Sequence, residues 1–110
     1  MRIAFIGGLH RNENQIVEIA EKAGHQLDFH PGVVGGRGAG ELRSAIERAD
    51  LVIIVTDVNS HGAVLLAKKL CQKLGRGTLV LRRCGAARFR QLLDAIAVRD
   101  VNHLNLAFAS

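Results

Sequence analysis

Leu51-Val52-Ile53-Ile54-Val55 is a run of five aliphatic residues with no polar member. A strand points alternate side chains to opposite faces, so such a run needs an apolar layer on both sides. That is the pattern of an interior strand of a parallel sheet covered by helices. The run leads straight into a polar cluster, Thr56, Asp57, Asn59, Ser60 and His61. Open α/β sheets bind ligands beyond the carboxyl ends of their strands, so this junction is the first place to look for a site.

The rest of the chain supplies matching elements. Ile3-Ala4-Phe5-Ile6 reads as a first strand closed by Gly7-Gly8, and Leu9 to Asn14 as a polar loop. A first helix follows with Ile16, Val17, Ile19, Ala20 and Ala23 inward, and Gly24 suits the position just past its end. Gln26 to His30 is a short second strand stopped by Pro31-Gly32. A glycine-rich loop, 32–40, precedes a second helix expected over Glu41 to Ala49. A third helix is expected from about Ser60 to Leu74, capped by Ser60 or Asn59. Thr78 to Arg82 reads as a fourth strand and Ala87 to Val98 as a fourth helix. In the final stretch Leu104, Leu106 and Phe108 alternate with His103, Asn105 and Ala107. That pattern fits a fifth strand and a tail packed on a partner subunit equally well.

Alternating strands and helices imply one α/β domain over 1–110, a flavodoxin-like three-layer sandwich with a parallel sheet in the order 2-1-3-4. The topological switch then falls between strands one and three. Gly7, Gly8 and His10 lie on one side of it, and Asp57, Asn59, Ser60 and His61 on the other. His30, Arg82 and Arg83 end the flanking strands.

Composition narrows the function classes. The chain has no Trp or Tyr and four Phe, so a stacking platform for single-stranded nucleic acid is not expected. The first apolar run is too short for a signal peptide or a membrane span, so a soluble, cytoplasmic protein is expected. Cys71 and Cys84 form no CxxC pair and are expected to be thiols. The net charge of +5 conceals an asymmetry. Residues 1–57 hold six basic and eight acidic groups, whereas 58–93 hold eight basic groups and no Asp or Glu. This implies one positive face and an anionic partner.

His61 is the most informative polar residue. On a helix it aligns with Lys68 and Gln72 on the polar side, opposite Ala63, Leu66, Ala67, Leu70 and Leu74. The helix dipole at its N-terminus favours a neutral ring that can accept a hydrogen bond or ligate a metal. The plainer alternative is a solvated first-turn histidine. Asp57 reads either as an acid/base group or as a cap or arginine partner. Asp57, Ser60 and His61 are too close in sequence to face one another as a triad, and no GxSxG elbow is present. The glycine-rich loop matches neither a P-loop nor GxGxxG. Gly36-Arg37-Gly38-Ala39-Gly40 reads first as a surface loop and second as an anion nest. His30, His61 and the cysteines match no zinc spacing, though His30 and His61 both follow strand ends. A lone imidazole can also serve haem.

Gly7-Gly8, His30, and Thr56-Asp57-Val58-Asn59-Ser60-His61 followed by Lys68 and Cys71 resemble the DUF2325 family, small bacterial domains of unassigned function. The resemblance covers about residues 3–90, and the Thr-Asp-x-x-Ser-His block with its following lysine is its most specific part. It implies a Rossmann-like α/β domain with a site built from His30, Asp57, Ser60, His61 and Lys68. The 32–40 loop and the 82–90 arginine segment are less typical of it.

The leading expectation is a non-enzymatic ligand-binding or sensor module. Its pocket would use His30, His61, Asp57, Ser60, Lys68, Gly7, Gly8 and Arg82, with haem or a transition metal on His61 and His30. The alternative is an enzyme or binding protein for a phosphorylated or carboxylated small molecule, held by Arg37, Lys68, Arg82 and Arg83. Nucleic-acid binding through the basic 58–93 face is the third reading. The exposed edge of the fourth strand and the apolar tail suggest a homodimer.

Overall fold

A computed structural model describes residues 1–57 and 59–98. Its elements follow in the order β1 (Arg2–Ile6), a 3-10 turn (His10–Asn12), α1 (Glu13–Lys22), β2 (Gln26–His30), α2 (Gly38–Arg48), β3 (Leu51–Val55), α3 (His61–Leu74), β4 (Gly77–Leu81) and α4 (Ala86–Val98). The four strands form one parallel sheet in the order β2-β1-β3-β4. Fold class and strand order are those the alternation of apolar runs implies. The alternating tail beyond residue 98 lies outside the described residues.

The two-sided burial of β3 organises the packing. All five of its residues are buried. Leu51, Ile53 and Val55 point to a layer formed by α1 and α4, through Ile16, Ile19, Phe89, Leu92 and Leu93. Val52 and Ile54 point to α2 and α3, through Leu42, Ile46, Ala63, Ala67 and Leu70. The small residues Ala45, Ala63 and Ala67 let these two helices approach the sheet closely. Phe5 anchors the other layer, stacked on Phe29 at 5.5 Å and edge-on to Phe89 at 5.7 Å.

Two helix ends show how local chemistry sets the boundaries. Ser60 is the N-cap of α3, and its Oγ accepts the Ala63 N–H at 3.1 Å. Gly75 closes α3 in the left-handed conformation, φ 67°, and its N–H bonds back into the last turn. Helix α2 begins at Gly38, three residues before the expected Glu41. The glycine-rich loop turns directly into the helix: Gly38 N–H bonds Gly35 O, and Glu41 N–H bonds Arg37 O. Arg76 donates to Ile46 O at 3.3 Å and Glu47 O at 2.9 Å, satisfying carbonyls at the end of α2.

Among the described residues, no helix is long and apolar enough to cross a membrane. β4 is an edge strand, and Val80 on it is exposed. This contrast sets a test. Ile54→Ala removes a fully buried side chain and should cost about 2–5 kcal/mol in urea unfolding. Val80→Thr on the open edge should change stability by no more than about 0.5 kcal/mol.

Candidate functional site

The strand ends carry the polar chemistry, and backbone pairing delivers it. β3 and β4 stay paired past their formal ends, with Thr56 N–H to Leu81 O at 2.8 Å and Asp57 N–H to Arg82 O at 3.0 Å. This continuation brings Asp57 beside Arg82 and Arg83. Asp57 Oδ2 accepts from Arg83 Nε at 2.9 Å, and Arg82 Nε stands 3.7 Å from Oδ1. The arginine side chains are 88% exposed and the carboxylate 28%. One carboxylate therefore sits between two largely solvated guanidinium groups. Such exposed pairs contribute little stability, and the cluster keeps a net positive charge.

These three residues form one wall of a cleft of about 530 Å³ at the switch between β1 and β3. The opposite wall is Gly8, Leu9 and Asn12, where the chain leaves β1 for α1. Val55, Cys84 and Gly85 complete the lining. The left-handed turn at Gly7 and Gly8, φ 92° and 86°, swings the chain aside and opens the cleft. A second depression on the β4 side, about 450 Å³, shares Asp57, Arg82 and Arg83 and adds Thr56, Val80 and Arg88. Burial pushes the Cys84 thiol up to about 11, so at neutral pH it is protonated and no nucleophile. Burial likewise raises Cys71, which packs inside α3 against the sheet.

The residues expected as the heart of the pocket do different work. His30 is buried, and both ring nitrogens are engaged. Gly32 N–H donates to Nδ1 at 3.0 Å, so Nε2 carries the proton that bonds Gly38 O at 2.9 Å. The ring thereby ties the two ends of the 32–38 loop together. Gly32 O in turn accepts the Ser60 N–H at 3.2 Å. Asn59 Nδ2 donates to Val55 O at 2.8 Å and Ile6 O at 3.4 Å, joining the ends of β3 and β1. Asn59 Oδ1 is buried with no hydrogen-bond partner among the described residues. Gly32, φ +84°, lies flat against this amide, leaving no room for a Cβ.

His61 opens α3 and is exposed, as is Lys68 on the same helix. Neither they nor His30 line the cleft. Of the anticipated site residues, Gly8, Asp57 and Arg82 meet there, and Arg83 joins them. Arg37 lies apart, in a shallow depression at the start of α2 with Gly36, Gly40 and Glu41. Among the described residues, no group of three or more His, Cys, Asp or Glu is placed to hold a metal ion. The basic residues of 58–93 also divide, contrary to the single positive face their sequence suggests. Lys68, Lys69 and Lys73 lie on α3, Arg90 lies on α4 across the sheet, and Arg76 caps α2. Only the edge cluster remains concentrated.

Leu9, Asn12, Val55, Cys84 and Gly85 also line the cleft, and the sequence does not mark them as site residues. Leu9 carried a signal, an apolar residue directly after a glycine pair at a strand end.

An α/β domain with its cleft at the switch point and a cationic cluster on one wall is the class these features define. A family model described as an uncharacterized protein conserved in bacteria (DUF2325) matches residues 2–96, and the chain belongs to that family. No curated protein matches the chain. No solved structure matches it either.

The structural work of His30 and Gly32 is measurable. His30→Ala leaves two loop groups unpaired and a void, and should cost about 2–4 kcal/mol. Gly32→Ala should cost about 1–3 kcal/mol, from backbone strain and collision with Asn59. Asp57→Asn, which touches only exposed pairs, should change stability by less than about 1 kcal/mol. Chemical denaturation of the three variants checks this order.

Proposed function

We propose that this domain is a non-enzymatic ligand-binding or sensor module for a small anionic molecule, bound in the switch-point cleft. The observation that carries the reading is the pair of exposed guanidinium groups around Asp57 at the mouth of that cleft. Both arginines approach Asp57 through Nε. Each guanidinium is on a side chain 88% exposed, and a phosphate or carboxylate can be taken by its planar fork in bidentate fashion. No described cleft residue pairs a nucleophile with a base: Cys84 is held as the thiol and no histidine lines the cleft. This supports binding over turnover.

For haem or a transition metal on His30 and His61, His30 would have to release one of its two hydrogen bonds. Anion binding at Arg82 and Arg83 needs no such change, and it is the reading the geometry supports best. Two buried, free thiols suit a reducing, cytoplasmic setting. A homodimer by sheet extension along β4 is the partner reading, supported by the open edge and exposed Val80. Light scattering should then show a smaller species for Val80→Lys than for the parent chain.

The ligand reading is tested by thermal shift and calorimetry with phosphate and small carboxylates at low salt. Stabilisation is expected, weakening as salt rises. Arg82→Ala with Arg83→Ala should lower affinity at least tenfold, about 1.4 kcal/mol. Equal affinity in the double variant, or no response to any anion, would sink the proposal. Added haemin giving a Soret band that disappears in His61→Ala would favour the haem reading instead.

A further inference from the structure

We infer that the ligand is two-ended: an anionic head on Arg82 and Arg83, and an uncharged flat or apolar body seated on Leu9, Val55 and Cys84. A nucleoside monophosphate or an aryl phosphate has this chemistry; a bare anion or a sugar phosphate does not. The inference rests on the anion-binding reading and adds the nature of the rest of the molecule.

The cleft is chemically divided. Among the described residues its charged lining is Asp57, Arg82 and Arg83, which stand together on one wall. Across from them Leu9 is 38% exposed, a large apolar side chain on the lip. Val55 and Cys84 are buried residues that complete the lining with apolar surface. The protonated Cys84 thiol behaves there as a small hydrophobe. Gly85 leaves open space at the rim, with no atom within 4 Å of where a Cβ would stand. The Asn12 amide is the one neutral amide side chain among the described lining residues.

Size leaves room for such a body. About 530 Å³ is far more than an inorganic anion needs, since a water occupies only about 30 Å³ of liquid. It falls within the roughly 300–1,000 Å³ typical of organic ligand sites. A sugar body would set several hydroxyls against Leu9, Val55 and Cys84, which offer them no good partners, at a desolvation cost. An aryl group, or the base of a nucleotide reaching past its ribose, covers that surface and leaves Asn12 to fix its orientation.

The test is calorimetry on the full chain with four probes: inorganic phosphate, ribose 5-phosphate, phenyl phosphate and adenosine 5′-monophosphate. Phenyl phosphate or the nucleotide should bind at least tenfold tighter than the first two, with a more negative heat-capacity change from apolar burial. In Leu9→Ser the excess, measured as the ratio of phenyl phosphate to inorganic phosphate affinity on the same variant, should disappear. The heat-capacity comparison on the unaltered chain stands even if that variant folds poorly. Equal affinity for all four probes, or tightest binding of ribose 5-phosphate, overturns the two-ended ligand and leaves the anion site intact. If none of the four binds, both readings fall.

Discussion

The Asn59 side chain holds the two halves of the switch together. Parallel strands cannot be joined by a tight turn, so β1 and β3 depart to opposite faces of the sheet once they end. Something must keep those ends in register as the chain diverges. Asn59 does this by donating to the last carbonyls of both, Val55 O and Ile6 O. Its neighbour Ser60 starts α3, and the same turn holds the 32–38 loop through Gly32. Three connections thus converge on one turn, two through the Asn59 amide and one through the Ser60 N–H. The cleft on the other side of the switch inherits a fixed edge.

Much of this architecture was legible in the sequence because its causes are local. Five buried aliphatics in a row at 51–55 have few other uses. Ser60 before an apolar 3.6-residue pattern is a cap signal, and it is the cap. The start of α2 was harder to read. Glycines at 38 and 40 argue against helix by propensity, and tertiary packing of Leu42, Ala45 and Ile46 overrides them.

The site was less legible, and the reason is physical. His30 and His61 are polar groups near strand ends, which is all a sequence can report. Whether a ring nitrogen is spare depends on which carbonyl lies 2.9 Å away, and Gly38 O is a loop atom with no sequence signature. The motif from Thr56 to His61 therefore looked like chemistry, while Asn59 and Ser60 within it are joinery. The sequence leaves Asp57 open to both roles, and in the structure it is an arginine partner that also lines the cleft. Charge was visible as a count but not as a distribution, because α3 and α4 lie on opposite sides of the sheet.

The neutral ring of His30 has a further consequence. A segment holding four glycines between residues 32 and 38 would ordinarily be the most mobile part of such a domain, sampling many conformations in solution. Clipped at both ends by one imidazole, it is instead ordered before any ligand arrives. That loop lines no part of the cleft, so what it contributes is indirect: through Gly32 it steadies the turn at Asn59 and Ser60, and the strand ends that border the cleft are held by a turn already fixed when the chain folds.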